Sequence, residues 1–150
     1  MTTQITKIRV RVVGIVKKGN SILIIKQTDG TTEWNCYPGG KLEHNENLED
    51  CLIRELSEEL SLDVSVEKFV GIGTYVEGNK TTLEAFFICE PKSETLRINE
   101  KHIIDARFID LRDLHAHQVY PLEITSDLET FVAECDSNPV NIGRYYGRFS

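Results

Sequence analysis

Between Leu48 and Leu60 the chain reads LEDCLIRELSEEL, the segment that most narrows what it can fold into. Leu48, Leu52, Leu56 and Leu60 recur every four residues, which predicts an amphipathic helix ending near Ser61. Asn47 is a good N-cap, and Glu49 and Asp50 put negative charge where the helix dipole favours it. The same helix carries Glu55, Glu58 and Glu59, three mutually repelling charges within five residues. A solvated acidic face would hold them opposite the leucines. Instead Leu48, Leu52, Glu55 and Glu59 fall at i, i+4, i+7 and i+11, and Cys51, Glu55 and Glu58 form a neighbouring stripe. The carboxylates therefore continue the apolar side. Grouped and partly desolvated, they must take up protons or find a counter-charge, and Arg54 cannot balance three. Such an oxygen-rich cluster suits Mg2+ or Mn2+ better than zinc.

Ahead of the helix stands Pro38-Gly39-Gly40. Glycines let backbone amides and carbonyls approach a ligand, although the triplet alone equally serves as a turn between strand and helix. Glycine loop, capped helix and inward glutamates together match a fixed pattern: Gly, five residues, Glu, seven residues, Arg-Glu, an apolar residue, any residue, Glu-Glu, any residue, Gly, apolar. In this chain it is Gly40, Glu46, Arg54, Glu55, Leu56, Glu58, Glu59 and Leu62, with Ser61 in the place of the second glycine. The chain thus resembles the Nudix family, and Trp34, Pro38 and Gly39 are also typical of it. The departure at Ser61 falls where a glycine ordinarily ends the helix in a left-handed conformation. A serine there predicts a cost of about 1 kcal/mol or a different helix end.

The resemblance implies a hydrolase that uses Mg2+ or Mn2+ to cleave a nucleoside diphosphate linked to another group. It covers nucleoside triphosphates, nucleotide sugars such as ADP-ribose and dinucleoside polyphosphates. It assigns metal binding to Glu55, Glu58 and Glu59 with the Gly40 carbonyl, and favours Glu55 as the base that takes the water's proton. Arg54, in the catalytic set with Glu55 and Glu58, is expected to hold a neighbouring carboxylate in place, with Glu46 in reach of it. Glu100 is the candidate for an additional acidic ligand from a later loop, in competition with Glu94 and Asp105. The resemblance also admits a non-catalytic nucleotide-sensing domain, although such domains usually lose these carboxylates, and a homodimer.

Substrate phosphates need positive charge that the motif lacks. Arg9 and Arg11 alternate on one face of the first strand, and Lys26, Lys41, Arg97 and Arg107 are further options. Gly39 is a candidate backbone contact, and Trp34, Tyr37 or Tyr75 could stack on a base. His115 and His117 receive no role.

Outside the motif, strand chemistry dominates. Ile8–Val16, Ile22–Ile25, Asp63–Val76, Thr82–Cys89 and Ala106–Ile109 are rich in β-branched and aromatic residues, with turns at Gly19-Asn20 and Gly78-Asn79. Gln27–Glu33 is expected to be a loop. A second helix is expected over Pro121–Cys135, capped by Thr125 or Ser126, and the tail from Asp136 shows no period. The expectation is one domain over residues 1–150, an α/β/α sandwich with a mixed sheet between helices. A net charge of −7 argues against a general nucleic-acid binder. The four cysteines form no CxxC pair, which fits a reducing compartment. The sequence holds no apolar run long enough to span a membrane, and a cytoplasmic location is expected.

Overall fold

The computed structural model describes residues 7–128 and 144–149. Strands β1 (Lys7–Lys18), β2 (Ser21–Thr28), β3 (Glu33–Cys36) and β4 (Gly39–Lys41) precede helix α1 (Leu48–Leu60). They are followed by β5 (Val64–Glu77), β6 (Lys80–Pro91), β7 (Ile103–Asp110), a 3-10 turn (Leu111–His117), β8 (Val119–Tyr120) and β9 (Arg144–Arg148).

The strands form one mixed sheet in the order β8-β3-β2-β1-β6-β5-β9, with β4 also on β1 and β7 also on β2. β1 lies parallel to β6 from Lys7↔Lys80 to Val16↔Cys89, and touches β2 only at the hairpin, Lys17↔Ile22 and Lys18↔Ser21. The sheet is curled, and alternation along its strands supplies two apolar faces. On one face Val12, Val16, Leu23, Ile25, Ala85 and Phe87 pack with Cys51, Leu52, Leu56 and Leu60 of α1. On the other, Val13, Ile15, Ile22, Ile24, Phe86 and Ile88 pack with Ile124 and Leu128. Residues 122–128 are helical, so the sheet lies between helices as expected.

Several local expectations change. The loop at Gln27–Glu33 is shorter, because β2 runs to Thr28 and β3 begins at Glu33. Pro38-Gly39-Gly40 is not a turn: both glycines belong to β4, where Gly39 pairs with Val13 and Gly40 with Val12. Thr125 and Ser126 are inside the second helix rather than capping it. Their hydroxyls donate to Val119 O (2.7 Å) and Leu122 O (2.9 Å). The expected remainder of that helix, 129–135, is outside the described residues. The tail contains a strand, β9, parallel to β5. His115 and His117 belong to the 3-10 turn. Cys36, Cys51 and Cys89 are free thiols, and burial pushes each up to about 12.

Candidate active site

Helix α1 starts where the sequence places it: Asp50 N donates to the Asn47 side chain at 2.8 Å. It lies close to β1 because Gly14 has no side chain. A Cβ there would come within 3.3 Å of Leu52 and 3.4 Å of Leu56. The two glycines of β4 serve close approach as well. A Cβ on Gly39 would overlap the Val12 carbonyl oxygen, and one on Gly40 would overlap the Glu55 carboxyl group. Gly40 is therefore the backbone against which Glu55 rests.

Arg54 is the hub of the acidic cluster. Its Nε and Nη2 donate to Glu46 Oε2 (3.0 Å) and Oε1 (2.8 Å), a bidentate fork. Nη2 also donates to Lys41 O (3.1 Å), while Nη1 donates to Glu55 Oε1 (3.0 Å) and Glu58 Oε2 (3.2 Å). One guanidinium thus ties β4, the loop after it and two carboxylates of α1 together. The bond to Arg54 holds the Glu46 carboxyl down at about 2, and the same bond raises Arg54 further above its ordinary range.

The three glutamates differ in environment. Glu58 is at the rim, its side chain 58% exposed. Glu55 is 13% exposed at its side chain, and desolvation raises its pKa against the opposing pull of Arg54. Glu59 is buried at 8%, and among the described residues its Oε2 has no hydrogen-bond partner. Desolvation first, then the charge of Glu55, pushes Glu59 up to about 8. A buried carboxylate oxygen without a partner is costly unless something else supplies charge. Among the described residues no group of three or more His, Cys, Asp or Glu side chains already sits in an arrangement that could hold a metal ion. What the structure presents is an open, all-oxygen row: Glu58 at the rim, Glu55 against Gly40, and Glu59 buried. Hard oxygen donors with an orphaned buried carboxylate oxygen fit a hard divalent cation.

Of the expected substrate contacts, Arg9 and Lys41 line a groove of about 650 Å³ that ends at Glu55 and has Ile8, Val10 and Leu42 as apolar walls. Arg9 Nε is buried, with no hydrogen-bond partner among the described residues. Arg11 is paired across the sheet with Glu84, Nε to Oε2 3.9 Å, and its charge acts on both Glu55 and Glu59. Lys26 lies between Asn35 of β3 and Asp105 of β7, outside the lining of that groove. Two contacts need correction. Tyr37 is 3% exposed, with its hydroxyl on Thr125 Oγ1 at 2.6 Å in the core under the second helix, so no ring face is open for stacking. Gly39 is buried, its α-carbon pressed on the Val12 carbonyl, so its lack of a side chain is already required by packing.

Among the later acids, Glu94 pairs with Lys18 (3.8 Å) and Asp105 with Arg107 (3.2 Å), whereas Glu100 is the one whose charge acts on Glu59. Sequence reasoning missed Glu84, His102 (Nε2 4.0 Å from Glu59 Oε1) and Asn99, which bonds to the end of α1. Glu84 reaches Arg11 only through the parallel register of β1 and β6, which no local pattern announces.

A family profile described as NUDIX domain matches residues 6–131. Over 65 residues the chain is 37% identical to the ADP-ribose pyrophosphatase of Methanocaldococcus jannaschii, a stretch covering 42% of this chain and 38% of that protein. The alignment thus spans well under half of that relative. Among solved structures, a NUDIX hydrolase from Nitrosomonas europaea superposes with a TM-score of 0.76 at 16% identity, covering 99% of this chain and 82% of that one. An ADP-ribose pyrophosphatase from Streptococcus suis gives a TM-score of 0.62 at 20% identity, covering 95% and 98%. At these identities the structural likeness is one of fold.

Proposed function

Since the chain belongs to the NUDIX family, we propose that it is a divalent-metal-dependent hydrolase that cleaves the pyrophosphate linkage of a nucleoside diphosphate joined to another group. The observation that carries this reading is the buried Glu59 oxygen without a partner, one helical turn from the Glu55 carboxyl packed on Gly40. Glu55, Glu58 and Glu59, with the Gly40 carbonyl, would hold Mg2+ or Mn2+, and Glu100, whose charge acts on Glu59, would add a further carboxylate. The bound ion supplies neutralisation of the pyrophosphate charge and a lowered pKa for water.

The chain's own residues do the rest. Arg54 holds Glu55 Oε1, which leaves Oε2 to accept the proton of the attacking water. Glu46, gripping the other edge of the guanidinium, keeps Arg54 from swinging away. Arg9 and Lys41 give the groove positive charge for phosphate oxygens, and Ile8, Val10 and Leu42 offer apolar surface to the nucleoside. Among the substrate classes, a nucleotide sugar of the ADP-ribose kind is favoured by the name of the similar M. jannaschii protein. Hydrolysis would add water across the linkage to yield AMP and ribose 5-phosphate.

The test is release of phosphate or nucleoside monophosphate from a panel of nucleoside triphosphates, nucleotide sugars and dinucleoside polyphosphates. It is run with Mg2+, with Mn2+ and with EDTA. AMP from ADP-ribose with either ion, and none with EDTA, is the expected result. Tight binding without turnover across the panel would replace hydrolysis by nucleotide sensing.

A further inference from the structure

Every helix ends with carbonyls that lack partners inside it. At the end of α1 these include the carbonyls of Glu58 and Glu59 themselves. Leu56 O receives Leu62 N (3.2 Å) and Ser57 O receives Ser61 N (3.0 Å), the pattern of a left-handed cap. Ser61 adopts that conformation, φ 51° and ψ 29°, without being a glycine. The remaining three carbonyls are all taken by one distant segment. Asn99 Nδ2 donates to Glu58 O (3.1 Å), Asn99 N to Glu59 O (2.9 Å) and Arg97 N to Leu60 O (2.8 Å).

Asn99 does one thing more: its Nδ2 also donates to Ser61 Oγ at 2.8 Å. Both amide hydrogens of the side chain are therefore used, one on the backbone of a glutamate and one on the residue that replaces glycine. A glycine at position 61 would offer no such acceptor. Directly after Asn99 come Glu100, whose charge acts on Glu59, and His102, 4.0 Å from Glu59. The far end of this segment is pinned to the sheet by Thr28 N on His102 O (2.9 Å).

We propose that Asn99 is a positioning residue: its clamp on Ser61 and Glu58 fixes the last turn of α1 against the Glu100–His102 segment and so sets the divalent-cation affinity. This rests on the metal-dependent reading above. The serine is then a working part of the site, strained in backbone but joined through its hydroxyl to the loop that faces Glu59.

The experiment measures Mn2+ binding to the full chain by calorimetry, without substrate, alongside the thermal midpoint. Asn99→Ala is expected to weaken Mn2+ about 10-fold, the lower range for loss of a residue supporting metal ligands. Ser61→Gly separates positioning from stability. It relieves the left-handed side chain, so the midpoint should stay or rise, while Mn2+ affinity falls roughly two- to five-fold. Mn2+ affinities of both variants within two-fold of wild type, or a Ser61→Gly variant that binds more tightly as it becomes more stable, would overturn the proposal. Should Asn99→Ala not fold, Ser61→Gly decides alone. A wild-type chain that binds no Mn2+ would instead remove the metal-dependent reading, and this proposal with it.

Discussion

Glu59 shows how one residue joins folding to chemistry. Its side chain is 11% exposed, and burial with the neighbouring Glu55 charge moves its carboxyl from an ordinary 4.5 up to about 8. Between those values the folded, metal-free protein retains a proton that the unfolded chain has released. The proton-binding difference then makes stability fall as pH rises. The contribution is present in full below about pH 4.5 and is gone once pH passes about 8. Thermal midpoints in EDTA should decline from pH 5 to pH 8, and Glu59→Gln should flatten that decline. The same variant should lose turnover by on the order of 10²-fold or more with Mg2+ present. A variant that kept wild-type rates would remove Glu59 from its assigned role. Gly40→Ala tests the facing backbone: its methyl must displace the Glu55 carboxyl, and a shift of that kind lowers kcat by about 10²-fold. Glu55 and Glu59 were legible as inward because helical periodicity is local, and Leu52 and Glu59 share a stripe whatever surrounds them; Glu58, expected on the same side, is instead 58% exposed at the rim. The partners of Ser61 and Arg11 were not, since Asn99 and Glu84 arrive through loops and registers set by the whole sheet.

At the scale of the element, α1 is held at three places: Gly14 under its leucines, Arg54 to β4 and the loop after it, and Asn99 at its end. Arg54 depends on a planar fork that lysine cannot reproduce, so Arg54→Lys is not conservative. It should lower activity 10- to 100-fold while the far-ultraviolet circular dichroism of the protein stays unchanged. Loss of helical signal would mean instead that the arginine holds the helix up rather than its carboxylates in place. The pH response of this element runs opposite to that of Glu59. Glu46 sits at about 2 instead of 4.5, so its contribution exists above about pH 4.5 and disappears as pH falls toward 2. Neither a ligand-approaching loop nor a turn, the two uses that a glycine pair suggests, announces strand β4. Here the glycines mark two backbones and a carboxylate pressed together, a need that a glycine pair does not distinguish.

Over the whole molecule, β9 closes one edge of the sheet. Phe149, 3% exposed, donates its N–H to Thr74 O (2.7 Å) and meets Phe86 edge-on, centroids 5.7 Å apart. Gly73 leaves room for its ring. Phe149→Ala should destabilise the fold by about 3–5 kcal/mol, read as a lower urea midpoint. A midpoint unchanged from wild type would mean that the strand is dispensable. The tail showed no period in sequence because its strand is only five residues long and its pairing with β5 shifts register between Ile72 and Gly73. The two-faced α/β architecture was nevertheless readable, since both apolar faces are written as alternation inside single strands. The parallel union of β1 with β6 has a consequence for how the chain emerges during synthesis. The acidic helix and the strand it leans on are both made before β6, whose Phe86 and Phe87 complete both faces of the sheet. Until those residues appear, the side of β1 that β6 will cover is a bare edge, and the newborn half-sheet is open to wrong partners.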